Sequence, residues 1–84
     1  MIYQIIFSEK AKKHLNKLEE EVRERIFLSI NRLKVNPRKF LKKLPNASYR
    51  FRVGDYRIIL DIIDDKLLIL IIKVDHRKKI YKKK

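Results

Sequence analysis

The sequence predicts an α+β fold: an N-terminal strand, a helical hairpin, then an antiparallel three-stranded meander with a short basic tail, in the order β-αα-βββ. Three observations predict it. Apolar residues recur at helical spacing from Ala11 to Leu33. From Tyr49 onward the period is two, and two long aliphatic runs follow, "YRIILDII" (56–63) and "KLLILIIKV" (66–74). Turn dipeptides, Gly54-Asp55 and Asp64-Asp65, separate these segments.

Each element has a local reason. "IYQIIF" (2–7) is uncharged, β-branched and aromatic, which favours a strand. Ser8 is a good N-cap, and Glu9 suits the first turn of a helix whose apolar side is Ala11, Leu15 and Leu18. A second helix begins around "EEE" (19–21), acids placed at its positive end, with Val22, Ile26, Ile30 and Leu33 as its stripe and Phe27 beside it. Pro37 and Pro45 bracket "NPRKFLKKLPN" (36–46), which reads as a loop with at most one helical turn. In the next strand Tyr49, Phe51 and Val53 point one way, and Arg50 and Arg52 the other. Gly54-Asp55 supports a tight hairpin, although the most favoured dipeptide has the reverse order. The last two strands are almost continuously apolar, so they are expected to be central and covered on both faces. The first strand must pair with one of the meander strands, and pattern alone does not say which.

Eighty-four residues suit one domain (1–84) with a limited core. With no cysteine there is no disulfide framework, thiolate nucleophile or Cys-ligated zinc. No apolar run reaches membrane-spanning length and no signal-peptide pattern is present, so a soluble cytoplasmic protein is expected. The formal net charge is +13, and it is unevenly spread. Residues 34–57 carry eight cations against Asp55 alone, and residues 76–84 carry six cations and no acid, whereas 58–75 is net negative. If the fold joins the two basic segments, they form a surface for a polyanion.

The residues able to do chemistry lie in the same segments. Arg57 stands among isoleucines, where an unpaired guanidinium is costly, so it is either paired or placed where an anion arrives. Arg50 and Arg52 are close across the hairpin. A meander brings the end of its third strand, with His76 and Arg77, near the start of the second. Arg50, Arg52, Arg57, His76 and Arg77 are therefore expected on one side of the sheet, where convergent guanidinium forks suit a phosphate. His76 and Tyr81 are candidate proton carriers, and cationic surroundings favour the Tyr81 phenolate. Tyr81 equally serves to pack the tail. His14, beside a helical stripe, is expected to be structural. Asp61, Asp64 and Asp65 look like strand and turn residues rather than a metal site, and no cofactor motif is found.

"FSEKAKKHLNKL", the proline loop "VNPRKFLKKLPN", "YRFRVGDYRIILDI" and the pairing of "VGDYRIIL" with "KVDHRKKIY" resemble the RelE/ParE superfamily of toxins from toxin–antitoxin pairs. The resemblance spans nearly the whole chain. It implies a RelE-like ribosome-dependent endoribonuclease, an mRNA interferase needing no metal or cofactor, that cuts message in the ribosomal A site and inhibits translation. It also implies an acidic RelB-like antitoxin as partner, in a heterodimer or heterotetramer. By the same resemblance Arg57, Arg77 and Tyr81 match the family's catalytic positions, with His76 beside them. Arg50 and Arg52 match its basic strand, and Lys82 and Lys83 of the tail are expected to add RNA contacts. The same signature serves ParE-like inhibitors of DNA gyrase, which cleave nothing. Asp75 departs from the pattern, standing where the family often has glycine.

Overall fold

A computed structural model describes residues 2–76. Strand β1 (Gln4–Phe7) leads into helices α1 (Glu9–Asn16) and α2 (Glu20–Asn31), and strands β2 (Lys42–Lys43), β3 (Tyr49–Val53), β4 (Tyr56–Ile63) and β5 (Leu68–His76) follow. The five strands form one sheet in the order β1-β5-β4-β3-β2. β1 pairs with β5 in parallel, and all other pairings are antiparallel. The predicted α+β order is the observed one, and the unplaced first strand lies at the edge beside β5. A 3-10 turn at Arg32–Lys34 follows α2. The proline segment holds one turn, a 3-10 turn at Pro37–Lys39, as expected, and in addition the two-residue strand β2.

The helical hairpin packs on one face of the sheet. Ala11, Leu15, Ile26, Ile30 and Leu33 meet Phe51, Val53, Ile58, Leu60, Ile69, Ile71 and Val74. Ile26, Leu33, Ile58, Leu60, Ile69 and Ile71 are fully buried. The expectation that β4 and β5 are covered on both faces is not met among the described residues. The helices cover one face, and Ile59, Ile63, Leu68 and Leu70 are half-buried on the other. A β-bulge is part of the reason for the unbroken apolar run. Ile59 pairs with Lys73 but Leu60 with Ile71, so Ile72 is an extra residue on β5. The bulge lets Val74 and Ile71, three apart rather than two, both face the core.

Where β1 stops, side chains of α1 continue the work of a strand. Ser8 caps α1 by accepting from the Ala11 amide at 3.0 Å, and its hydroxyl donates to the Ile72 carbonyl at 2.7 Å. His14 accepts from the Val74 amide through Nδ1 at 3.2 Å, which makes it the structural residue expected from its place in α1. Bulge and strand edge would otherwise leave these backbone groups unpaired. Arg23 of α2 donates to the Leu18 carbonyl at 3.0 Å, closing the C-terminal end of α1 against α2. At the β3–β4 hairpin Gly54 has φ +58 and Asp55 does not go positive, the pattern of a type II′ turn rather than I′. No helix among the described residues is long and apolar enough to cross a membrane.

The far end of the sheet is braced by a polar cluster. Arg38 donates two hydrogen bonds to Asp64, at 3.0 and 2.8 Å, and its Nε donates to the Tyr49 hydroxyl at 3.2 Å. Tyr3 donates to the same carboxylate at 2.9 Å. The Arg38 and Tyr3 bonds hold Asp64 below the ordinary carboxylate range, and the bond to Asp64 raises Tyr3 above the ordinary phenol value. A depressed folded-state carboxylate contributes stability above its unfolded pKa of about 3.9 and loses it as pH falls through the folded value. Arg38→Ala is therefore expected to lower stability at pH 7, with the gap from the unsubstituted protein shrinking below about pH 4. Urea unfolding at pH 7 and pH 3 measures this, and a pH-independent gap would contradict the brace.

Candidate nucleic-acid interface

Strand alternation builds the face turned away from the helices. Because Phe51 and Val53 enter the core, Arg50 and Arg52 project from the opposite side of β3. On β4, burial of Ile58 and Leu60 sends Arg57, Ile59 and Asp61 to that same open face. Register then fixes the neighbours. Lys42, Arg50, Ile59 and Lys73 form one row across four strands, and Arg52, Arg57 and Asp75 form the next. The structure thus brings Arg50, Arg52 and Arg57 together, as expected. It adds Lys42, which the proline-bounded pattern assigns to a loop. The signal for it was the turn around Pro45-Asn46, which separates two short segments able to pair.

Arg52 lies directly opposite Arg57, an arrangement that like charges disfavour. The two carboxylates of this face do not relieve it. Asp75 is held by Lys73, with Nζ to Oδ2 3.3 Å, and Asp61 accepts from the Ser48 hydroxyl at 2.9 Å. Among the described residues, the guanidiniums of Arg50, Arg52 and Arg57 have no ion pair or hydrogen bond. Arg57 is half-buried and rooted in a central strand, so little freedom remains to be lost when an anion binds. Repelling, preplaced forks with free donors suit phosphate oxygens.

His76 does not join them. It pairs with Tyr56, on the helix side of the sheet, and the two rings meet edge to face with centroids 4.6 Å apart. There it lines a cleft of about 380 Å³ with His14, Lys17, Leu18, Tyr56, Val74 and Asp75. The expectation that His76 shares a side with Arg50, Arg52 and Arg57 is corrected. Consecutive strand residues face oppositely, so Asp75 takes the arginine side and His76 the other. Arg77, Tyr81, Lys82 and Lys83 lie outside the described residues.

The open face has a second character. Its half nearest β1 carries Ile6, Leu70, Leu68 and Ile63. Around the β1 edge a groove of about 810 Å³ runs between β1 and α2, with Ile2, Ile6, Phe27 and Leu28 exposed along it. Phe27, expected beside the core stripe, stacks edge to face on Phe7 at 5.5 Å yet keeps one side in solvent.

Comparison with known proteins gives the family and the fold. Residues 5–81 match the family described as ParE toxin of type II toxin-antitoxin system, parDE. Among solved structures, the RelBE2 toxin–antitoxin complex of Mycobacterium tuberculosis aligns with a TM-score of 0.83 and 27% identity, over 92% of this chain and 100% of that one. The RelB-RelE antitoxin-toxin complex of Methanococcus jannaschii gives a TM-score of 0.70 and 31% identity over 94% and 98%. The isolated RelE toxin of E. coli gives 0.74 and 28% over 94% and 90%. No curated protein sequence matches. With a family match over almost its whole length and the fold of these toxins, the chain belongs to the ParE toxin family of type II toxin–antitoxin systems, within the RelE/ParE superfamily.

Proposed function

We propose that residues 1–84 act as one RelE-like toxin domain, a cytoplasmic mRNA interferase whose open basic face receives messenger RNA in the ribosomal A site and cleaves it. The observation that carries this reading is the cluster of Arg50, Arg52 and Arg57 on one sheet face, unpaired among the described residues. In the reaction the ribose 2′-oxygen bonds to the adjacent phosphorus and the bond to the 5′-oxygen breaks, leaving a 2′,3′-cyclic phosphate and a 5′-hydroxyl. Negative charge grows on the phosphoryl oxygens, and Arg57, with Arg77 from the tail, neutralises it. Arg50, Arg52, Lys82 and Lys83 hold flanking phosphates. A base takes the 2′-hydroxyl proton and an acid supplies one to the 5′-oxygen. Tyr81 takes precedence over His76 here, because His76 faces the helix side while Arg57 faces the other. No metal or cofactor enters the scheme.

The partner in this reading is an acidic RelB-like antitoxin, in a heterodimer or a dimer of such pairs. Several of the solved toxins are bound to RelB. The exposed apolar groove beside β1 and the adjoining basic face offer such a segment both apolar area and charge to cover.

A second reading is favoured by one finding, the match to the ParE family description. A gyrase inhibitor would leave message intact. Toeprinting in a reconstituted translation system separates the two. Message cut at the A site is the expected result. Intact message together with blocked gyrase supercoiling would overturn the nuclease reading.

A further inference from the structure

Asp75 is the carboxylate closest to Arg57 in the sheet register. The two residues are direct antiparallel partners, so their side chains leave the same face with Cβ atoms about 5 Å apart. An ion pair between them is the expected outcome of that placement. It is not what forms. The Asp75 carboxylate turns along its own strand to Lys73, 3.3 Å away, and among the described residues Arg57 has no acidic partner. Lys73 and Asp75 are two apart on β5, beyond the bulge at Ile72, so both project beside Arg57. Both are part-exposed, with side chains 38% and 40% accessible, so neither is fixed by packing, and the carboxylate's orientation depends on the ammonium that holds it.

We propose that Lys73 is a positioning residue: by holding the Asp75 carboxylate it keeps that internal anion off Arg57 and leaves the guanidinium open to a phosphate. Asp75 is then a competitor under restraint, tolerated beside an anion site because its neighbour occupies it. The inference rests on the nuclease reading only for its kinetic consequence. The pairing itself is a property of the free protein.

Four variants test it: Lys73→Met, Lys73→Arg, the double Lys73→Met/Asp75→Asn and the charge control Lys73→Met/Glu9→Gln. Single-turnover cleavage on saturating ribosome complexes is expected to fall about five-fold in Lys73→Met, which corresponds to about 1 kcal/mol. Lys73→Arg, which keeps the clamp, and the double variant, which removes the competitor, should stay within about two-fold of the unsubstituted rate. Lys73→Met/Glu9→Gln restores the same net charge at a remote, exposed helix position and should remain slow. A readout independent of activity is the Arg57 Nε–H resonance in the free protein. It should shift, with slowed exchange, in Lys73→Met and return in the double variant. A double variant as slow as Lys73→Met, rescue by Glu9→Gln, or an Arg57 resonance unmoved by Lys73→Met would each overturn the clamp. If none of the proteins cleaves message, the nuclease reading fails while the resonance still decides the clamp.

Discussion

Arg57→Ala is expected to slow single-turnover message cleavage on ribosomes by about 10²–10³-fold, the usual cost of removing one preorganised donor to a developing oxyanion. Ribosome affinity should fall only slightly, because in the proposed reading the docking charge is shared by the thirteen other cations of 34–57 and 76–84. The structural ground is specific. Arg57 sits half-buried in a central strand, with Arg52 opposite and without a carboxylate partner among the described residues, so its substitution breaks no ion pair among them. Arg38 is the contrast. It carries the same charge, but it is held by Asp64 and Tyr49 at the other end of the sheet. Arg38→Ala should therefore lower stability and leave the chemical step nearly unchanged. Quench-flow on preformed ribosome complexes reads both. A wild-type chemical rate for Arg57→Ala would remove this residue from the site.

The second large effect concerns the core. Leu60→Ala is expected to cost about 3–5 kcal/mol, since a fully buried leucine loses its transfer free energy and leaves a cavity. Leu60 is fully buried and pairs with Tyr49 on one side and Ile71 on the other, so strands hold the space open on both flanks. A domain of this size has about 4–13 kcal/mol in total, and the melting temperature should drop by more than about 10 °C. Leu28→Ala, at a side chain 70% exposed, is the control and should change stability by no more than about 0.5 kcal/mol. Thermal unfolding followed by circular dichroism measures both. A Leu60→Ala loss below about 1 kcal/mol would place the core elsewhere.

Local chemistry was enough to read much of this molecule from its residues. The Ser8 cap, the two helices, the Gly54-Asp55 hairpin and the alternation that separates Arg50 and Arg52 from Phe51 and Val53 depend on neighbours within a few positions. Such signals survive in a linear sequence. The motif pair "VGDYRIIL" and "KVDHRKKIY" added the family, which the match over residues 5–81 bears out.

Sequence by itself therefore determined the elements, their order, the basic character of one strand face and the superfamily. Only the tertiary structure decided what long-range pairing controls. It set β1 beside β5 and drew Lys42 out of the proline segment into a row with Arg50. It placed a bulge at Ile72, which lets an unbroken apolar run serve a sheet covered by helices on one face. It turned His76 to the helix side and Asp75 to the side of Arg57. The physical reason is the two-residue period of a strand. Within one strand the sequence fixes which residues share a face, but whether that face meets a helix, an arginine or solvent depends on register with strands far away in the chain.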